Sequence, residues 1–155
     1  MKPDSIVAYV ATISHSDYIL GAFSTADDQL ASAAHVSFTH DQCEVGISTA
    51  PDHRRQGIGE KLMQHIMALC SNRGIHQLYM MCLTDNRAII GLCKKAGLAV
   101  VSSQGESQTT LELPKASMTT IGQEFNMANM VVADSLMRPF RANWQSWLKS
   151  HRHQV

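Results

Sequence analysis

Three short runs rich in apolar and β-branched residues, Tyr18 to Phe23, Leu30 to Phe38 and Cys43 to Ala50, are separated by the polar links Thr25-Ala26-Asp27-Asp28-Gln29 and Thr39-His40-Asp41-Gln42. Short strands joined by polar turns predict an antiparallel meander. The period then changes. Leu62, Ile66, Met67 and Cys70 recur at helical spacing, and Asn72-Arg73-Gly74 supplies a stop. The continuous apolar run Leu78 to Leu83 predicts a strand buried on both faces. Asp85 or Asn86 is placed to cap a second helix that runs to about Ala96 and ends at Gly97. Leu98 to Val101 and Thr109 to Leu113 read as a closing hairpin around Ser103-Gln104-Gly105-Glu106.

The two ends are less decided by pattern. Ile6 to Ile13 fits a strand or a remnant of a buried helix. After Pro114, Thr119 to Met137 reads as a helix that Pro139 interrupts, and Phe140, Trp144, Trp147 and Leu148 continue an apolar stripe beyond it. That stripe packs on its own domain or, with two tryptophans near a terminus, anchors a homodimer. The expected organisation is an α/β domain over 1–116 with a C-terminal helical extension over 117–155 packed on the same domain.

Composition narrows the classes. A chain of 155 residues forms one domain, or a domain with a tail, and buries a core without staples. Thirteen basic and thirteen acidic side chains leave no net charge, so a general nucleic-acid binder is not expected. No apolar run reaches the roughly 20 residues that span a bilayer, so no membrane partner is expected. Cys43, Cys70, Cys82 and Cys93 show neither Cys-x-x-Cys nor zinc spacing, and no secretory leader precedes them. Buried thiols in a reducing cytoplasmic setting are the plain reading, and no metal site is expected.

Chemistry enters at Arg54-Arg55-Gln56-Gly57-Ile58-Gly59, between a strand ended by Pro51 and a helix that opens at about Glu60. Glycines let successive backbone N–H groups converge on one point. The helix start adds roughly half a positive charge, and two arginines stand beside it. A diphosphate fits that environment. The spacing excludes a Gly-x-x-x-x-Gly-Lys-Ser/Thr loop, and Leu62 stands where a dinucleotide loop would need its third glycine.

The stretch Arg54-x-x-Gly57-x-Gly59, following Ala50-Pro51-Asp52-His53, resembles the acetyl-CoA diphosphate loop of the GNAT N-acetyltransferase superfamily. Asn86, Ala88, Leu92, Lys94, Lys95, Gly97 and Leu98 resemble that family's second motif. The resemblance covers about Tyr18 to Leu113. It implies a mixed, mostly antiparallel α/β sheet flanked by helices, with acetyl-CoA as co-substrate and an amine as acceptor, small-molecule or peptide. It places the diphosphate on Arg54, Arg55, Gln56, Gly57, Ile58 and Gly59. It lays the pantetheine arm along the backbone near Ile47 and Thr49, and sets Asn86 beside that arm. It also implies that the strand before the loop splays from its neighbour at a bulge, for which Gly46 is a fitting place.

An amine of pKa about 10 is neutral in only roughly one molecule in a thousand at pH 7, so its proton must be taken by a base or its pKa depressed by burial. Glu44, on the strand leading to the thioester, is the first candidate base; His35 on the neighbouring strand is the second. Many relatives place a tyrosine acid seven residues after the motif asparagine. This chain has Cys93 there, a thiol able to donate a proton, with Tyr79 as a remote substitute. Only about 17 residues precede Tyr18, so the acceptor pocket is expected to be open, or covered by the C-terminal helices or a second subunit. The alternative of another class is a non-catalytic acyl-CoA-binding or regulatory module of the same fold.

Overall fold

The computed structural model describes residues 11–83, 85–103 and 106–130. The run from Ile6, and the C-terminal stripe from Pro139 to Leu148, lie largely or wholly outside those residues. Six strands, β1 (Tyr18–Phe23), β2 (Leu30–Thr39), β3 (Gln42–Thr49), β4 (Gln77–Leu83), β5 (Ala99–Ser103) and β6 (Glu106–Glu112), form one sheet in the order β1-β2-β3-β4-β6-β5. Every neighbouring pair is antiparallel except β3 and β4. The predicted meander is β1-β2-β3, and the closing hairpin is β5-β6. Helix α1 (Ile58–Asn72) connects β3 to the parallel β4, and α2 (Arg87–Lys95) connects β4 to β5. A third helix, α3, begins at residue 118 and is described to residue 130.

Both α1 and α2 pack on one face of the sheet. Cys43 and Val45 of β3, Leu78 and Met80 of β4, and Met63 and Ile66 of α1 are almost fully buried between them. Each such side chain contributes about 1.5–3 kcal/mol by leaving water. Cys43 Sγ lies 3.2 Å from Cys70 Sγ of α1, and Cys93 Sγ of α2 lies 3.5 Å from Met80 Sδ. All four cysteines are free thiols.

The opposite face departs from the sequence reading. The run Leu78 to Leu83 was expected to be buried on both sides, yet Met81 is 52% exposed. The reason is topological: α1 and α2 share one side of β4, and among the described residues no helix covers the other. Helix α3 instead attaches at the end of α1. Asn72 Nδ2 donates to Thr120 O and Glu124 Oε2, and Arg73 Nη1 pairs with Glu124 Oε1 at 2.9 Å. The Arg73 guanidinium also lies 4.8 Å over the Tyr18 ring of β1. Burial alone would raise the Glu124 carboxyl, but the hydrogen bonds from Asn72 and Arg73 outweigh it and hold the group below its ordinary value.

Where β3 leaves β4 decides the rest. The parallel ladder consists of Gln42 with Gln77, Cys43 with Leu78 and Glu44 with Tyr79. Beyond Glu44 the two strands separate, as the resemblance implied, but Gly46 carries no bulge. The register of β2 with β3 is unbroken from Ser32–Thr49 to Thr39–Gln42, and Gly46 sits squarely opposite His35. The half-strand Val45–Thr49 thus keeps β2 on one side and has an open backbone edge on the other. The sheet's one register shift in the meander lies at Ala22/Phe23 instead.

Candidate active site

Past the point where the strands part, the end of β3 borders a cleft of about 590 Å³ on the helix-bearing face. Its floor is the end of β3, with Ile47, Ser48 and Thr49. One wall is the turn into α1, with His53, Arg54, Arg55, Gly57, Ile58, Gly59 and Glu60. The facing wall is α2, from Asn86 and Arg87 through Ile89, Gly91 and Leu92 to Lys95.

The turn is built to leave N–H groups open. A 3-10 turn at Pro51–His53 ends β3, and Arg54 then folds back so that its Nε donates to Thr49 O at 3.1 Å. Arg55 takes a left-handed φ of 63°, and Gly57 one of 77°. Gly57 is the N-cap of α1 and offers no side chain to the helix start. The first intrahelical bond is Lys61 N to Gly57 O. The N–H groups of Ile58, Gly59 and Glu60 therefore have no partner within the helix, and they lie at the cleft wall. Gly59 keeps the wall close-set: a Cβ there would stand 3.6 Å from Leu92 Cδ2 and 3.9 Å from Thr49 Oγ1. Uncapped donors at a helix start, two arginines and a glycine wall suit a diphosphate, so the residues present fit the phosphate portion of a coenzyme A.

The second helix start is made differently. Asn86 Oδ1 accepts from Ile89 N at 3.3 Å, which satisfies one donor of α2 from within the chain. Asn86 also lines the cleft, so the side chain expected both to cap and to approach a ligand is in position for both. Glu60 Oε2 and Lys95 Nζ, 3.2 Å apart, bridge α1 to α2 across the outer cleft.

Of the predicted binding residues, Ile47, Thr49, Arg54, Arg55, Gly57, Ile58, Gly59 and Asn86 line this one cleft. Gln56 does not; its Nε2 donates to Asp52 O at 3.1 Å and braces the turn from outside. Cys93 does not line it either. Its thiol is fully buried against Met80 and Thr109, and burial pushes it above the ordinary thiol value. An inward-packed, reluctant acid is ill placed to reach a leaving sulfur, so the expectation of a Cys93 proton donor is not carried forward. His53, Glu60, Arg87 and Lys95 also line the cleft and were not assigned to it from the sequence, although His53 and Lys95 stand within the two motifs.

Glu44 stands at the apex of the split, on the last rung before the strands part. It pairs with Ser37 on one side and Tyr79 on the other. Its neighbours Cys43 and Val45 turn into the core, so the exposed Glu44 carboxylate belongs to the opposite face. His35 lies on that same face, diagonal to Glu44, opposite the side-chain-free Gly46. Its Nε2 is 3.0 Å from Asp17 Oδ2. Asp17 is held below the usual carboxylate value by the Ser14 N–H and then by His35.

Residues 4–98 match the family model described as acetyltransferase (GNAT) family. A curated relative, the [ribosomal protein bS18]-alanine N-acetyltransferase of Salmonella typhimurium, is 31% identical over 74 residues, which are 47% of this chain and 50% of the relative. The chain thus spans about half the length of the curated relative it matches. Among solved structures, the ribosomal-protein-S18-alanine N-acetyltransferase of Escherichia coli superimposes with a TM-score of 0.62 at 18% identity, covering 72% of this chain and 79% of that one. The GNAT domain of S. lividans PAT gives 0.61 at 17% identity, covering 73% and 70%. At such identities the structural likeness speaks for the fold. The family match spans well over half of the chain, and this protein belongs to the GNAT acetyltransferase family.

Proposed function

We propose that this chain transfers an acetyl group from acetyl-CoA to a primary amine by direct attack, with cofactor and acceptor meeting across the split between β3 and β4. The observation that carries the reading is the end of β3–β4 pairing at Glu44–Tyr79, beyond which β3 runs on to a cleft whose wall is the uncapped start of α1. Acetyl-CoA supplies an activated thioester. The N–H groups of Ile58, Gly59 and Glu60, with Arg54 and Arg55, hold the diphosphate. Each helix-start contribution is modest, about 0.3–1 kcal/mol and up to about 2 when partly buried, and binding comes from their convergence. The open edge of Val45–Thr49 holds the amide-bearing arm as an added strand would.

Glu44, on the far face, takes the proton of the attacking amine. No residue is assigned as acid to the departing sulfur, since Cys93 faces the core. A thiol of pKa about 8.5 is a tolerable leaving group without one. The acceptor is a small-molecule or peptide amine. The Salmonella relative is named for acetylating an alanine of ribosomal protein bS18, which makes peptide amines one arm of the test. No helix among the described residues is long and apolar enough to cross a membrane, and four free thiols suit a cytoplasmic setting.

The test is thiol release from acetyl-CoA across a panel of amines and short peptides. Amine-dependent release with acetylated product supports the reading. Saturable binding with no turnover on any acceptor would leave a non-catalytic acyl-CoA-binding module.

A further inference from the structure

The four free thiols are not equivalent. Cys82 is half-buried on β4, and Cys93 packs against Met80 and Thr109. Cys43 of β3 and Cys70 of α1 instead meet each other, with their sulfurs 3.2 Å apart. Both residues are almost fully buried. The Cys70 thiol donates to the Cys43 sulfur. That contact holds Cys43 below the ordinary thiol value, while the same contact and then burial push Cys70 up. Cys43 is therefore the readier nucleophile, and Cys70 keeps its proton.

Both sulfurs hang from well-fixed backbone. Cys43 lies where β3 is paired on both sides, with Phe38 of β2 and Leu78 of β4. Cys70 lies near the end of α1, where its carbonyl accepts from Arg73 N and Ile75 N as the chain turns toward β4. A disulfide holds its sulfurs about 2.0 Å apart, so these two need only close by about 1.2 Å.

We propose that Cys43 and Cys70 are an oxidation site: a peroxide joins them in a disulfide that fastens the end of α1 to β3, and a thiol reductant reopens it. Cys43, as thiolate, attacks one oxygen of hydrogen peroxide. The S–O bond forms as the O–O bond breaks, and the departing hydroxide leaves as water with the proton Cys43 gave up. Cys70 sulfur then attacks the Cys43 sulfenic sulfur. The S–S bond forms, the S–O bond breaks, and a second water leaves with the Cys70 proton. The two thiols lose two electrons, and the peroxide gains them. Burial makes entry of the oxidant depend on local opening, so the reaction is slower than at an exposed thiol. Once the sulfenic acid forms, Cys70 stands in contact to close the bond before further oxidation. This site is independent of the acetyl-transfer reading.

The experiment treats the folded whole chain with hydrogen peroxide, then blocks remaining thiols with an alkylating agent under denaturing conditions and maps the peptides by mass. Wild type should yield a linked peptide pair containing Cys43 and Cys70, lost on treatment with dithiothreitol. The thermal midpoint of the oxidised chain should rise by roughly 5 °C or more, because the bond restricts the unfolded chain, and should return on reduction. Cys82→Ser should behave as wild type. Cys70→Ser should give no linked pair, and its Cys43 should be trapped by a sulfenic-acid reagent. The wild-type map stands even if a serine variant folds poorly. Cys43 and Cys70 both still alkylated after prolonged peroxide treatment would overturn the proposal. So would linkage through Cys82, Cys93 or a second chain instead, or a linked chain whose midpoint does not rise.

Discussion

The two faces of the sheet use the same strands to different ends. On the face under α1 and α2, alternate residues of β3 and β4, Cys43, Val45, Leu78 and Met80, are at most 2% exposed. On the other face their neighbours are open: Met81 is 52% exposed, and Ile19 of β1 is 56% exposed. One face is core and, past the end of β3–β4 pairing, borders the cleft beside the start of α1. The other carries Glu44 and the Asp17–His35 pair. Under the proposed function, binding and chemistry fall on opposite sides of one split, so they should separate under mutation.

The largest separation is expected at Glu44. Glu44→Gln should lower acetylation by roughly 100-fold, the scale of a lost general base, while coenzyme A affinity stays close to wild type. Stopped-assay turnover together with calorimetry reads both. A wild-type rate and pH profile in the variant would remove Glu44 from the mechanism and turn attention to His35.

Next comes the mirror experiment on the helix face. Gly57→Ala places a side chain where φ is 77°, a conformation that costs an L-residue about 1–2 kcal/mol. Coenzyme A affinity should drop by roughly tenfold, which corresponds to about 1.4 kcal/mol; Gly59→Val should weaken binding for want of space beside Leu92 and Thr49. Unchanged affinity in a folded Gly57→Ala protein would sink the loop assignment.

A smaller effect distinguishes the two helix starts. Asn86→Ala removes the cap of α2 and should lower stability by about 1 kcal/mol, read by denaturant melts, with a modest loss of coenzyme A affinity. Loss of affinity without loss of stability would mean that the cap is incidental.

The smallest effect lies away from both sites, where α3 meets α1. The Glu124 carboxyl is depressed in the folded chain. Its contribution is therefore present at neutral pH and is lost as pH falls through the folded value. Glu124→Gln should be less stable than wild type at pH 7 by under about 1 kcal/mol. The gap should close as pH drops below the ordinary glutamate range near 4.3. A gap independent of pH would show that the ion pair with Arg73 is not its source.

Much of this was legible in the chain. β1 spans Tyr18–Phe23 as the pattern predicts, and the Asn86 cap and the Gly57 turn were readable because glycine and asparagine have few other uses at such places. Side-chain direction was less readable. Counting seven residues from Asn86 placed Cys93 on the cleft side. But Asn86 is a cap with φ −77° and ψ 70°, outside the helix, and the helical phase begins only at Arg87. Cys93 then falls on the stripe that meets Met80. Likewise the run Leu78 to Leu83 looks buried throughout, because one strand cannot report that both its helices chose the same side.

The central claim, cofactor on one face and acceptor chemistry on the other, is tested most directly by backbone amide spectra of the labelled chain titrated with coenzyme A. The predicted result is saturable shifts at Ile58, Gly59 and Glu60 and along Ile47–Thr49, with the amides of β1 at Ile19 and Gly21 undisturbed. Saturable shifts centred on β1 and the open face, or none at the start of α1, would contradict it.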